Sequence, residues 1–188
     1  MILGVHSATF VKNWHEDVKP YIHLCKKAGY KSVEVSLLGQ TPSSAKEIAK
    51  LANDLNISIT CTTGLSNEED ISSSDPVIQQ NGVDALKRAI DMTAIMQAKL
   101  LTGVVHAAWG ISNSMGKDKE GKFQNSSHSI KKITSFLSEK NIKLGIEPLN
   151  RYESDFINTV DEGIRLCELI DHPNVGLLLD AYHMNIEE

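Results

Sequence analysis

No long apolar run occurs in these 188 residues. Nothing approaches the roughly 18 consecutive apolar residues of a membrane-spanning helix. The opening Met1-Ile2-Leu3-Gly4-Val5-His6 has no basic segment ahead of an apolar one. Neither a membrane protein nor a cleaved secretory leader is therefore expected. Cysteine is scarce: Cys25, Cys61 and Cys167 are far apart, odd in number and never in a C-x-x-C pair. That excludes a disulfide framework and points to reduced thiols in the cytoplasm. Basic clusters are missing as well. With 19 Lys and Arg against 24 Asp and Glu the net charge is −5, and the pI is about 5.8. No electrostatic reason remains to expect nucleic acid or an anionic membrane as partner. There is no G-x-G-x-x-G, no P-loop, no low-complexity tract and no internal sequence repeat. The 41% hydrophobic and 23% charged content is that of an ordinary globular protein, and 20.7 kDa suffices for one domain with a substantial core.

What the sequence does contain is alternation. Short apolar runs, each followed by a longer helical pattern, predict strands at residues 2–7, 31–38, 57–61, 99–106, 143–149 and 175–180. The first helix carries Val18, Tyr21, Ile22 and Cys25 in its stripe, with Trp14 at its head, Pro20 near its start and Gly29 as its stop. Ser44 and Glu47 form a capping box ahead of Ala45, Ile48, Leu51, Ala52 and Leu55. Asp75-Pro76 is an N-cap followed by proline at the first helical position, opening a helix to about residue 98. A polar loop, residues 107–125, holds Gly110, Gly116 and Gly121 and the charged run from Lys117 to Lys122. A helix over residues 126–140 follows. Thr159 and Glu162 form a second capping box, for a helix ending near residue 171.

Six strands and five helices in strict alternation predict a parallel sheet with helical crossovers. Two closures fit: an open doubly wound sheet, complete at this length, or a (β/α)₈ TIM barrel of about 250 residues, of which strands seven and eight would be absent. The polar residues favour the barrel. Glu34, Thr62 and Thr63, His106, Glu147 and Asp180 fall at the C-terminal ends of several different strands, where barrels assemble active sites. The expectation is one α/β domain, residues 1–188, that stops before the barrel is complete. A carboxylate late in an apolar strand is costly unless paired or bound to metal. Two of them, Glu147 and Asp180, aimed into one cavity call for a divalent cation; oxygen ligands suit Mn²⁺ or Mg²⁺. The bland alternative is that each caps a helix or pairs with Lys or Arg.

The segment Gly145-Ile-Glu-Pro-Leu-Asn-Arg-Tyr-Glu-Ser-Asp-Phe-Ile-Asn-Thr159 resembles the ketose 3-epimerases of the xylose-isomerase-like barrel superfamily. Residues 175–188, VGLLLDAYHMNIEE, look like the next part of the same pattern. Weaker similarity runs back through Trp109, Thr63-Gly64-Leu65 and Val33-Glu34-Val35-Ser36. The resemblance implies Glu147 and Asp180 as the first two of four metal ligands, the other two lying beyond residue 188. It implies Mn²⁺, with Mg²⁺ or Co²⁺ as substitutes. Glu153 and His183 would hold the sugar, and Trp109 and Trp14 would line its pocket. Glu147 would be one of two glutamates exchanging the C3 proton of a free ketose through an enediolate, its partner being absent here. A homo-oligomer is expected of such a family, as are a small-molecule ketose as partner and a cytoplasmic setting.

Blander readings stand beside these. Glu153 can be solvated surface, Trp14 helix core, and His106 and Glu34 part of a polar barrel interior. His15, His23, His128 and His172 read as surface, and Cys61 as a small buried hydrophobe. Competing functions are an inosose dehydratase or hydroxypyruvate isomerase of the same superfamily, an abasic-site endonuclease, which the acidic pI opposes, and a non-catalytic fragment with open strand edges that binds metal weakly.

Overall fold

The computed structural model describes residues 2–14, 16–110 and 118–188. The surface assignment of His15, and the Gly116 and Lys117 parts of the expected loop, lie outside them. Six strands, β1 (Gly4–His6), β2 (Ser32–Ser36), β3 (Ser58–Leu65), β4 (Leu100–Ala108), β5 (Lys143–Ile146) and β6 (Val175–Leu177), pair in sequential order, every pair parallel. Helical crossovers cover the outer face: α1 (Lys19–Ala28), α2 (Pro42–Asp54), α3 (Pro76–Ile95), α4 (Lys119–Lys131), α5 (Thr134–Lys140) and α6 (Val160–Ile170). A last helix, α7 (Ala181–Glu187), follows β6. This is the arrangement of a TIM barrel, present through its sixth strand. The closure left open between sheet and barrel is thereby decided: a doubly wound sheet reverses its strand order at a switch point, and this one never does.

Local chemistry sets the element ends. Pro20 sits in the first turn of α1, where its missing N–H costs nothing, and Gly29 ends that helix at φ 92°, a left-handed conformation open to glycine. Asp75 caps α3 by accepting from Val77 N–H, and Thr159 and Glu162 cap α6 reciprocally, both as expected. The box expected at Ser44 is displaced by three residues. Thr41 is the N-cap, Pro42 opens α2, and Ser44 is the third helical residue, answering Thr41. Trp14 is not part of α1, which starts at Lys19 behind Asp17 and Val18; it stands in the preceding loop. The helix expected at 126–140 is instead α4 and α5, broken at Lys132 and Ile133, and residues 119–122 of the expected loop form the first turn of α4, behind Asp118 as N-cap.

The core lies between sheet and helices. Ala45, Ile48 and Ala52 of α2, Val83, Leu86 and Ile90 of α3, and Leu166 and Ile170 of α6 pack with Val33, Val35, Cys61, Leu101, Leu144 and Ile146 of the strands. Burying one Leu or Ile side chain contributes about 1.5–3 kcal/mol, so these faces carry the fold. Cys61 is fully buried, and burial pushes its thiol up to about 12, which agrees with its reading as a small hydrophobe.

Strands β3 and β4 part near their ends. Gly64 opposes Val104, but the next residue of β3, Leu65, opposes Ala108, so Val105, His106 and Ala107 bulge out of register. Gly103, at φ 108°, lies against the β3 backbone. A Cβ there would stand 2.3 Å from the Thr63 carbonyl oxygen and 2.7 Å from Thr62 Oγ1. Only glycine permits that approach.

Candidate active site

The C-terminal ends of the strands surround a pocket of about 160 Å³. Its lining includes His6, Trp14, Thr62, Thr63, Gly103, Val104, Trp109, Glu147, Glu153 and His183. Glu147 is the residue that follows β5, and Asp180 caps α7 by accepting from Tyr182 N–H at 2.7 Å. His183, one turn into α7, directs Nε2 to 3.8 Å from Glu147 Oε1 and 4.0 Å from Asp180 Oδ2. One atom from each of these three residues lies within 4.8 Å of the others.

The electrostatics of the pocket are one-sided. Burial raises the Glu147 carboxyl to about 7, and the neighbouring charges of Asp180, Glu34 and Glu153 add to the shift. Among the described lining residues there is no Lys or Arg. His6 supplies little positive charge: burial lowers its pKa, against the pull of Glu34 at 3.9 Å. Glu147 and Glu153 line the cavity, and Asp180 and Glu34 stand close enough to raise Glu147, with no Lys or Arg among the described lining residues; such a cluster is a good fit to a divalent cation. Glu147 and Asp180 offer hard oxygen donors of the kind divalent cations take.

Two tryptophans form one wall. Trp14 and Trp109 meet edge to face with ring centroids 6.3 Å apart, and Trp14 meets His6 in the same manner at 6.2 Å. They are 37% and 44% exposed, unusually open for indole rings, which leaves apolar surface turned to the pocket. Glu153 belongs to the same lining, held by its neighbours. Gly110 N–H donates to the Glu153 carbonyl at 3.1 Å, and Gly110 bridges Ser154, so the loops after β4 and β5 are laced together.

Glu34, left open as barrel interior, accepts from Thr102 Oγ1 at 2.9 Å and lies below the pocket floor. His106, read as a strand-end polar group or part of the barrel's polar interior, is not among the pocket's lining residues. The β4 bulge turns it toward Phe156, 5.8 Å between ring centroids, where it is fully buried and neither ring nitrogen has a hydrogen-bond partner among the described residues. Burial, with the nearby Lys122 charge, lowers its pKa to about 3, so it is neutral. Two contributors escaped sequence reasoning: His6, whose place at the tip of β1 was the available signal, and Asn150, fully buried between Glu153 and His183.

Parallel strands in sequential order, with acidic groups gathered at their C-terminal ends, define a β/α-barrel protein with an acidic, aromatic-walled pocket. The chain belongs to the xylose isomerase-like TIM barrel family, whose profile matches residues 22–188. It is 31% identical to the D-psicose 3-epimerase of Ruminiclostridium cellulolyticum, over 98% of this chain and 64% of that protein. It is 30% identical to the L-ribulose 3-epimerase of a Methylomonas species, over 98% of this chain and 64% of the other. Among solved structures, a D-psicose 3-epimerase in the presence of D-fructose superimposes with a TM-score of 0.94 at 30% identity, covering 100% of this chain and 66% of that one. The chain thus spans just under two thirds of the length of these relatives. Among the described residues no helix is long and apolar enough to cross a membrane.

Proposed function

We propose that this protein is a sugar epimerase that inverts C3 of a free ketose with a divalent cation, Mn²⁺ foremost, as cofactor. The observation that carries the proposal is the cluster of Glu147, Asp180, Glu153 and Glu34 at and beside a pocket with no Lys or Arg among its described lining residues, next to two open tryptophans. The relatives named as psicose and ribulose 3-epimerases support the choice of a ketose.

In this reading Glu147 and Asp180 hold the cation. When bound, it supplies positive charge beside the oxygen that becomes negative as the C3 proton leaves. Glu147 takes that proton. Its carboxylate lies half-buried beside the charges of Asp180, Glu34 and Glu153, which favour its taking up a proton. His183 presents Nε2 to a sugar oxygen, and Glu153 accepts from a hydroxyl. Trp14 and Trp109 cover the apolar face of the chain carbons and exclude water. Return of a proton to the opposite face needs a second acid, which the resemblance puts past residue 188.

The test is incubation of the protein and Mn²⁺ with D-fructose in D₂O, with the sugars separated and examined by NMR. D-Psicose carrying deuterium at C3 is the expected result. A product lighter by one water identifies a dehydratase and overturns the reading. So does D-psicose without solvent deuterium.

A further inference from the structure

Asn150 touches both side chains assigned to the sugar, and every hydrogen-bonding group it has is engaged. Its Nδ2 donates to Glu153 Oε1 at 3.0 Å and lies 2.8 Å from His183 Nδ1. Its Oδ1 accepts from Tyr152 N–H at 2.9 Å. Its own backbone N–H donates to His183 Nδ1 at 3.2 Å, and its carbonyl accepts from the N–H groups of Glu153 and Ser154. The residue has no exposed surface.

These contacts remove two ambiguities that the coordinates of heavy atoms leave open. The first is which end of the amide is nitrogen. A backbone N–H must meet oxygen, and a carboxylate must meet a donor; Tyr152 and Glu153 impose the same orientation independently. The second is which nitrogen of His183 carries the hydrogen. Nδ1 faces two donors, the side-chain amide and the Asn150 backbone N–H, and therefore accepts. The hydrogen of the neutral ring is on Nε2, the atom directed at the pocket.

We infer that Asn150 is the positioning residue of this site: one buried amide fixes the tautomer of His183 and the placement of Glu153 before any sugar arrives. His183 is then a donor to substrate oxygen. Although it lies within ligand distance of Glu147 and Asp180, its Nε2 lone pair is used by hydrogen and is not offered to the cation. The catalytic consequence rests on the proposed epimerase reading. The tautomer does not, because it is read without sugar or metal.

The experiment is ¹⁵N–¹H NMR of the imidazole rings in the full chain, metal-free, at a pH where the ring is neutral, with His183 assigned by its loss in His183→Gln. Hydrogen on Nε2 and a bare Nδ1 are expected. Hydrogen on Nδ1, or averaged shifts for the two nitrogens, overturns the inference. In Asn150→Asp an oxygen replaces the donor facing Nδ1 while the acceptor for Tyr152 is kept. With one of the two donors facing Nδ1 gone, the form with hydrogen on Nδ1 is expected to gain population, a change that no general loosening of the fold would produce; an unchanged pattern overturns the Asn150 side chain as its cause. Should circular dichroism show Asn150→Asp unfolded, the decision passes to the wild-type protein. There a coupling between Asn150 Nδ2 and His183 Nδ1 across the hydrogen bond supports the assignment, and its absence beside a bare Nδ1 overturns it.

Discussion

The Asp70 carboxylate accepts a hydrogen bond from the backbone N–H of Ala108 at 3.2 Å, joining the loop after β3 to the residue that precedes Trp109. The same oxygen accepts from Ser72 N–H and Ser72 Oγ, at 2.9 and 2.7 Å. Truncating it leaves a half-buried backbone donor unpaired beside the aromatic wall. Asp70→Ala should lose about 1–3 kcal/mol in urea unfolding and change the tryptophan emission of the native state. Unchanged emission would mean that Trp109 is held by its own bond to the Leu65 carbonyl alone.

Gly103 allows β4 to lie against β3 directly under the pocket. Gly103→Ala places a Cβ 2.3 Å from the Thr63 carbonyl oxygen at φ 108°. A clash with backbone cannot be relieved by a rotamer change, so strain and displacement add. A loss of about 2–4 kcal/mol is expected, larger than a surface Gly→Ala change gives. The check is the midpoint of chemical denaturation against an exposed control such as Gly29→Ala, whose Cβ meets nothing within 4 Å although its φ is also positive.

His106 occupies core volume without a hydrogen bond among the described residues. His106→Leu, similar in size and apolar, should stabilise the protein at neutral pH by about 1–2 kcal/mol, since a buried polar group without partners costs roughly that much. The gain should grow in acid. With a folded pKa near 3 against 6.5 unfolded, the native ring stays neutral while the unfolded one takes a proton. Wild-type stability from this group is therefore lost as pH falls from 6.5 toward 3, at up to about 1.4 kcal/mol per unit. Thermal melts of both proteins across that range measure the difference.

Glu147 has the opposite dependence. Its folded pKa is raised to about 7 from 4.5, so the metal-free native state binds the extra proton between those values. Its contribution is present in full below about 4.5 and is lost as pH rises through 7, by at most about 3 kcal/mol. Between pH 4.5 and 6.5 the two slopes oppose each other, which is why single variants are needed to see either. Glu147→Gln should remove the rising-pH loss. A cation competing for the same oxygens should bind more tightly as pH rises through 7 and release a proton on binding. Calorimetry with Mn²⁺ in buffers of different ionisation enthalpy measures this, and Glu147→Gln should weaken binding by about 10–100-fold or more.

The alternation of strands and helices was legible because apolar runs of strand length alternate with amphipathic helical stretches, some announced by their N-caps. The resemblance singled out Glu147, Asp180, Glu153 and His183 in two continuous stretches, residues 145–159 and 175–188; the structure brings Glu147, Asp180 and His183 together and puts Glu153 in the same pocket lining as Glu147 and His183. Failures came where local signals competed. Thr41-Pro42 carries the same cap-then-proline signal as Asp75-Pro76, and the stronger-looking Ser44 and Glu47 pair concealed it. The break between α4 and α5 has neither proline nor glycine to announce it. Strand periodicity put His106 on the face of Val104, but the bulge opposite Leu65 cancels that alternation, and bulges follow from the neighbouring strand's geometry. Asn150 was invisible as a site residue because its role is to hold two others, which only their proximity reveals.

The seam between Gly110 and the Glu153–Ser154 backbone has a consequence for anyone who would alter what the pocket accepts. The indole wall and the carboxylate wall share a backbone joint, so they form a single unit of exchange. Grafting either loop from a relative by itself would leave that joint mismatched, whereas moving the pair carries its own fastening along. Directed libraries on this scaffold should therefore vary residues 109–110 and 150–154 together, as one cassette.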